Sequence, residues 1–97
     1  MRKPRRLVLI LQDLFFGGTQ RHALELARRI DRSRFAPEFW MLTSGADFAP
    51  QAREADIPMR WLSGKPSVGL PAILALRAAL KAERPDIVMP LTAVPNI

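Results

Sequence analysis

Residues 7–30 read LVLILQDLFFGGTQRHALELARRI, which indicates a buried strand, a glycine turn and an amphipathic helix. The run from Leu7 to Leu11 is apolar without interruption. A strand that is apolar on both faces must be covered on both faces, as in a parallel sheet flanked by helices. Gln12 and Asp13 end the run, and the glycine pair after them predicts a tight turn.

The helix predicted after the turn spans residues 19–30. Thr19 is its predicted N-cap, because its hydroxyl can accept a hydrogen bond from a backbone amide of the first turn. Four apolar residues then follow the spacing of one helix face: Ala23, Leu26, Ala27 and Ile30.

This arrangement predicts an anion site at the start of the helix. The first amides of a helix lack internal partners, and the helix dipole places partial positive charge there. Glycines let a ligand approach the backbone closely. A phosphate or a sugar hydroxyl would lie over Gly17, Gly18 and Thr19. The alternative is a compact strand-to-helix turn that binds nothing.

The composition excludes several kinds of chemistry. The chain has 97 residues, which suggests one small domain, and it has no cysteine. Disulfides, thiol catalysis and cysteine-ligated metals are therefore excluded. His22 is the single histidine, so a histidine-rich metal site cannot form within one chain, and we expect no metal centre. No apolar run approaches the length of a membrane span.

The net charge of +6 is concentrated in part at the start of the chain, in Arg2, Lys3, Arg5 and Arg6. We interpret residues 1–6 as a basic leader. A solubilising tail and a peripheral contact with anionic lipid are both open interpretations. Nucleic acid is not expected as a partner, because no nucleic-acid motif and no interleaving of aromatic and basic residues accompany the cluster.

The remaining pattern predicts an α/β fold. Further strands are predicted at residues 38–42, 57–62 and 87–89, and further helices at 48–55 and 70–83. Asp47 is the predicted cap of the short helix, and Pro58 favours an edge position for the third strand. Alternating strands and helices predict a Rossmann-like parallel sheet with right-handed crossovers, strand order 3-2-1-4 and helices on both faces. Ligands bind such sheets at the carboxyl ends of the strands, here beside the first strand.

Two nucleotide-related folds fit poorly. A dinucleotide-binding domain needs a Gly-x-Gly-x-x-Gly turn and an acidic residue after the second strand, where this chain has Thr43 and Ser44. A phosphoacceptor receiver domain needs an aspartate after the third strand, where the chain has Ser63.

Four segments carry a resemblance to a known family: FGGTQRHALELARRI, RFAPEFWML, QAREADIPMRWL and ERPDIV. In their order and spacing they resemble the N-terminal domain of GT-B glycosyltransferases of family 4. The resemblance implies a sugar transferase whose N-terminal domain binds a sugar or lipid-linked acceptor and whose C-terminal domain binds a nucleotide-sugar donor. It implies a reaction without a metal or other cofactor. It also places Gly17 and Gly18 at the cleft between the domains, with Thr19, Gln20 and His22 beside them.

The sequence departs from the family where a histidine often follows the fourth strand. Here the positions read Met89-Pro90-Leu91-Thr92, so Thr92 or Asn96 would have to serve instead. Because the chain ends at Ile97, we expect a partial N-terminal domain at residues 7–97, inactive without a donor domain. We also expect it in the cytoplasm, at the inner face of the membrane. The alternative is a stand-alone α/β module that binds a ligand and associates through an open sheet edge.

Overall fold

The computed structural model of the protein describes residues 3–14, 17–65 and 69–91. The predictions for Thr92 and Asn96 lie outside these residues. The described residues form four strands and three helices in strict alternation: β1 Arg5–Leu11, α1 Gly18–Arg29, β2 Phe35–Met41, α2 Ala49–Glu54, β3 Met59–Trp61, α3 Leu70–Glu83 and β4 Ile87–Pro90.

The four strands form one parallel sheet in the order β3-β2-β1-β4, which confirms the predicted topology. In the register, Leu9 lies opposite Phe39 of β2 and opposite Met89 of β4. The third strand is at the edge, as Pro58 indicated. Because β1 is central, the turn that follows it lies in the middle of the carboxyl edge of the sheet.

The alternation of side chains along β1 divides the core into two layers. Leu7, Leu9 and Leu11 pack in one cluster with buried residues of α1 and α2. Val8 and Ile10 point to the opposite face and pack in a second cluster, which includes residues of α3. The predicted cover of helices on both faces is therefore confirmed.

The first strand begins at Arg5, two residues earlier than the sequence predicted, and takes in part of the basic leader. The Arg6 guanidinium lies 2.7 Å from the Glu38 carboxylate of β2 and 2.7 Å from the Glu83 carboxylate of α3. Its backbone amide donates to the Asp86 carboxylate at 2.8 Å. Arg6 is thus a structural residue rather than part of a solvated tail, whereas Lys3 is exposed.

Both predicted helix caps were wrong by one or two residues. The N-cap of α1 is Gly17, whose carbonyl accepts the Arg21 amide at 2.9 Å, so Thr19 lies inside the first turn. The N-cap of α2 is Phe48 rather than Asp47. In each case the turn into the helix is closed by backbone hydrogen bonds, which residue-type preferences for caps do not register.

The third helix has the predicted bounds, with Pro71 in its first turn. Only part of its apolar stripe is buried. Ala72 is buried and Leu76 and Leu80 pack against the sheet, but Leu70, Ile73 and Leu74 are exposed. In the described ranges, no helix is long and apolar enough to cross a membrane.

Candidate functional site

A pocket of about 570 Å³ opens at the carboxyl edge of the sheet, beside the start of α1. Gly17, Gly18 and Arg21 line it from the first turn of α1. Phe48 and Gln51 line it from the start of α2. The two helices follow neighbouring parallel strands, β1 and β2, so the topology brings their first turns together.

Backbone hydrogen bonds hold the ends of the two strands in place behind the pocket. The Thr43 amide donates to the Gln12 carbonyl at 2.7 Å, and the Thr43 hydroxyl donates to the same oxygen at 2.9 Å. The Phe48 amide donates to the Leu14 carbonyl at 2.9 Å. These contacts fix the distance between the turn after β1 and the start of α2, which is the width of the pocket.

The two glycines of the turn have different surroundings. A Cβ at Gly17 would lie 2.6 Å from the Gln20 side-chain oxygen, whereas a Cβ at Gly18 would meet none of the described residues within 4 Å. Gly17 is extended, with φ of −174°, a conformation open to any residue. A side chain at Gly17 would therefore displace the end of the Gln20 side chain, whereas Gly18, which lines the pocket, has room for one among the described residues.

The first turn of α1 offers uncapped backbone amides. Within the described part of the chain, no side chain caps the helix and its first turn has no acidic residue. Such amides point out along the helix axis and favour an anion. Arg21 is exposed at the pocket and adds a full positive charge.

Gln51 brings a polar group that has no partner in the part of the chain that the structure describes. Its side-chain oxygen is buried and has no hydrogen-bond partner among the described residues. An unsatisfied buried acceptor destabilises a protein, so such a group calls for a donor from water, an ion or a bound molecule. Gln51 lines the same pocket as Gly18, and a small rotation of its side chain would turn the oxygen toward the pocket.

Comparison with protein families identifies the chain. The family model of Glycosyltransferase Family 4 matches residues 16–95, from the glycine turn to beyond β4. The chain belongs to glycosyltransferase family 4. No curated protein and no solved structure matches it. The family resemblance seen in the sequence is thereby confirmed.

The fold brings only some of the predicted site residues to the pocket. Gly17 and Gly18 line it, while Thr19 and His22 are exposed on α1 and are not among its lining residues. The Gln20 side-chain amide donates to the Asp13 carboxylate at 2.8 Å, so it braces the turn. Thr92 lies outside the described residues.

Sequence reasoning missed three lining residues of the pocket: Arg21, Phe48 and Gln51. A signal for the last two was present, because the predicted strand order places the turns after β1 and β2 side by side. No group of three or more acidic or histidine side chains that would hold a metal occurs within residues 3–14, 17–65 and 69–91.

Proposed function

We propose that the protein is the acceptor-binding part of a GT-B glycosyltransferase that moves a sugar from a nucleotide-sugar donor to an acceptor hydroxyl. The observation that carries the proposal is the open pocket at the uncapped start of α1, in a chain that belongs to glycosyltransferase family 4. The donor would bind a second domain, so these 97 residues would not transfer sugar alone.

The pocket residues have complementary roles in this proposal. The amides around Gly18 and the Arg21 guanidinium would stabilise negative charge, either on the departing diphosphate or on a phosphate of the acceptor. The Gln51 side-chain oxygen would accept a hydrogen bond from a hydroxyl of the acceptor. In the transfer the acceptor oxygen bonds to the anomeric carbon, the bond from that carbon to the diphosphate breaks, and the hydroxyl proton is released.

The acceptor is proposed to be a sugar or a lipid-linked sugar, met at the inner face of the membrane in the cytoplasm. The pocket is consistent with either kind, since it combines hydrogen-bonding groups with the aromatic wall of Phe48.

The test is a pair of glycine substitutions in the full-length protein, assayed for transfer with a panel of UDP-, GDP- and ADP-sugars. Gly18→Val adds a branched side chain to a residue that lines the pocket, and Gly64→Val is the matched control, because a Cβ at Gly64 also meets none of the described residues within 4 Å. We expect Gly18→Val to lower transfer at least tenfold with an unchanged Tm, and Gly64→Val to retain it.

Full transfer activity in Gly18→Val would contradict the proposed site. A native product of about this length, forming concentration-dependent dimers and lacking transfer with every donor, would instead support the stand-alone module.

A further inference from the structure

Another concave site lies at the edge of the sheet where the parallel strands begin. We define the amino-edge pocket by the five residues that line its volume of about 250 Å³: Lys3, Arg5, Ser33, Arg34 and Phe35. Lys3 and Arg5 come from the start of the chain, and the other three come from the turn before β2 and its first residue. The seven residues of β1, at about 3.3 Å each, place this pocket about 20 Å from the pocket beside α1.

The alternation of side chains along β1 separates Arg5 from its neighbour Arg6. Arg6 points to the face of α3, where it pairs with Glu38 and Glu83. Arg5 belongs to the opposite face of the sheet and lies beside Phe35 in the register of β1 and β2. The start of β1 thus supplies one arginine to the internal ion pairs and presents another at the amino-edge pocket.

The positive charge of this pocket is only partly compensated. Within residues 3–14, 17–65 and 69–91, none of Lys3, Arg5 and Arg34 forms an ion pair. The neighbouring Asp31 carboxylate accepts hydrogen bonds from the Ser33 hydroxyl at 2.6 Å and the Ser33 amide at 2.9 Å. These bonds lower the pKa of Asp31, and the charge of Arg34 does so to a smaller extent. Three cations against this one carboxylate leave two positive charges uncompensated.

Backbone hydrogen bonds join the two halves of the pocket. The Arg5 amide donates to the Arg34 carbonyl at 2.9 Å. The Arg34 and Phe35 amides both donate to the Asp31 carbonyl, at 3.0 Å and 2.9 Å. The cations are therefore carried on a backbone that is already ordered, which lowers the entropic cost of binding a ligand between them.

Charge and size together indicate the class of ligand. A phosphate group carries about −1.5 to −2 charges at pH 7, which matches the two uncompensated positive charges. Arginine binds phosphate oxygens through paired hydrogen bonds. Pockets for drug-sized ligands hold roughly 300–1,000 Å³, so this smaller pocket fits a ligand of one or two phosphate groups. A nucleic-acid strand would need a long groove with several stacking aromatics, whereas the lining of this pocket has one aromatic residue, Phe35.

The end of α1 offers a different explanation for the cations. Positive side chains stabilise the C-terminus of a helix, and Arg34 lies in the turn that follows α1. The last turn of α1, however, already carries Arg28 and Arg29. The negative end of this helix therefore has its complementary charges without the amino-edge pocket.

We propose that the amino-edge pocket binds a soluble ligand that carries one or two phosphate groups. The Arg5 and Arg34 guanidinium groups donate hydrogen bonds to the phosphate oxygens, and the Lys3 ammonium adds positive charge. The bound ligand connects the start of β1 with the turn before β2, so it stabilises the folded state by linkage. The site is separate from the pocket beside α1 and does not depend on the proposed sugar transfer.

The experiment titrates the full-length protein with inorganic diphosphate at constant ionic strength, and measures the Tm and the heat of binding. We expect diphosphate to raise the Tm of the parent. Arg5→Gln with Arg34→Gln should weaken this binding by about tenfold or more, because charge-assisted hydrogen bonds are the strong ones. Arg53→Gln with Arg77→Gln, two exposed arginines on α2 and α3, is the matched control and should bind as the parent does.

Four outcomes would overturn the proposal. Equal diphosphate affinity in the parent and the Arg5→Gln, Arg34→Gln variant would leave the pocket without a ligand. Loss of binding in Gly18→Val, but not in the double arginine variant, would move the site to the start of α1. An unchanged affinity together with a lower Tm in the double arginine variant would show that the cations stabilise the end of α1. Retention on phosphatidylglycerol vesicles without any response to diphosphate would assign the cations to a lipid surface.

Discussion

The Arg6 guanidinium in β1 lies 2.7 Å from the Glu83 carboxylate at the end of α3, which joins the two ends of the described chain. The same guanidinium contacts Glu38, and Arg60 of β3 also pairs with Glu83. Arg60 lies over the Trp40 ring, 5.0 Å from its centre. One set of charged side chains thus connects α3 with three strands, and it lies on the face of the sheet opposite α1.

This network predicts a dependence of stability on pH. Hydrogen bonds from Arg60 and Arg6 lower the pKa of Glu83 below its usual value of 4.5. A carboxyl group whose pKa is lower in the folded state stabilises the fold above its unfolded pKa, and that contribution is lost as the pH falls through the folded pKa. Glu83→Gln should therefore lower the Tm at pH 7, and its difference from the parent should shrink below pH 4.5.

Thermal unfolding of the parent and of Glu83→Gln between pH 3 and pH 7 tests this. Ser33 also lowers the pKa of Asp31, so both proteins keep Asp31 and only their difference is interpreted. A difference in Tm that stays constant over this range would show that Glu83 contributes by packing rather than by charge.

Much of the fold could be predicted because local signals agreed with the tertiary structure. Pro71 and Pro85 bracket α3, and the observed helix ends as they indicate. The strand order follows from the alternation of strands and helices together with the handedness of crossovers. The apolar run of β1 required cover on both faces, and the two core clusters on opposite faces of that strand supply it.

The parts that escaped prediction depend on contacts between residues distant in sequence. We interpreted Arg6 as part of a basic leader, because its partners Glu38 and Glu83 are 32 and 77 residues away in the sequence. The stripe of α3 predicted a buried face, but periodicity does not say which side of a helix with apolar residues all round meets the sheet. Gln51 lies on α2, a helix for which the sequence analysis predicted no role in the site.

The closeness of the Gln20 side chain to Gly17 predicts that substitutions at the two positions are energetically coupled. Gly17→Ala places a methyl group 2.6 Å from the Gln20 side-chain oxygen, so the end of the Gln20 side chain must move and its hydrogen bond to Asp13 is weakened. Because the backbone at Gly17 is unstrained, we expect a loss of about 0.5–1.5 kcal/mol, the worth of one hydrogen bond.

Urea unfolding of a double-mutant cycle measures this coupling. In a Gln20→Ala background the methyl group has no clash, so Gly17→Ala should cost close to nothing. Equal costs in both backgrounds would place the strain of Gly17→Ala elsewhere in the turn. Gly64→Ala, at an open position, is the control for the substitution itself.

The Gln51 side-chain oxygen, which has no partner among the described residues, predicts opposite effects on stability and on acceptor binding. Gln51→Met keeps the length of the side chain and removes the buried acceptor, so it should stabilise the free protein by about 1 kcal/mol. It should also raise the KM for the acceptor, since the group proposed to receive a hydroxyl is gone. Gln20→Met is the matched control: it removes an amide that does have a partner, Asp13, and should lower the Tm. If Gln51→Met also lowers the Tm, the oxygen already accepts a hydrogen bond in the free protein. It would then not be available to bind the acceptor.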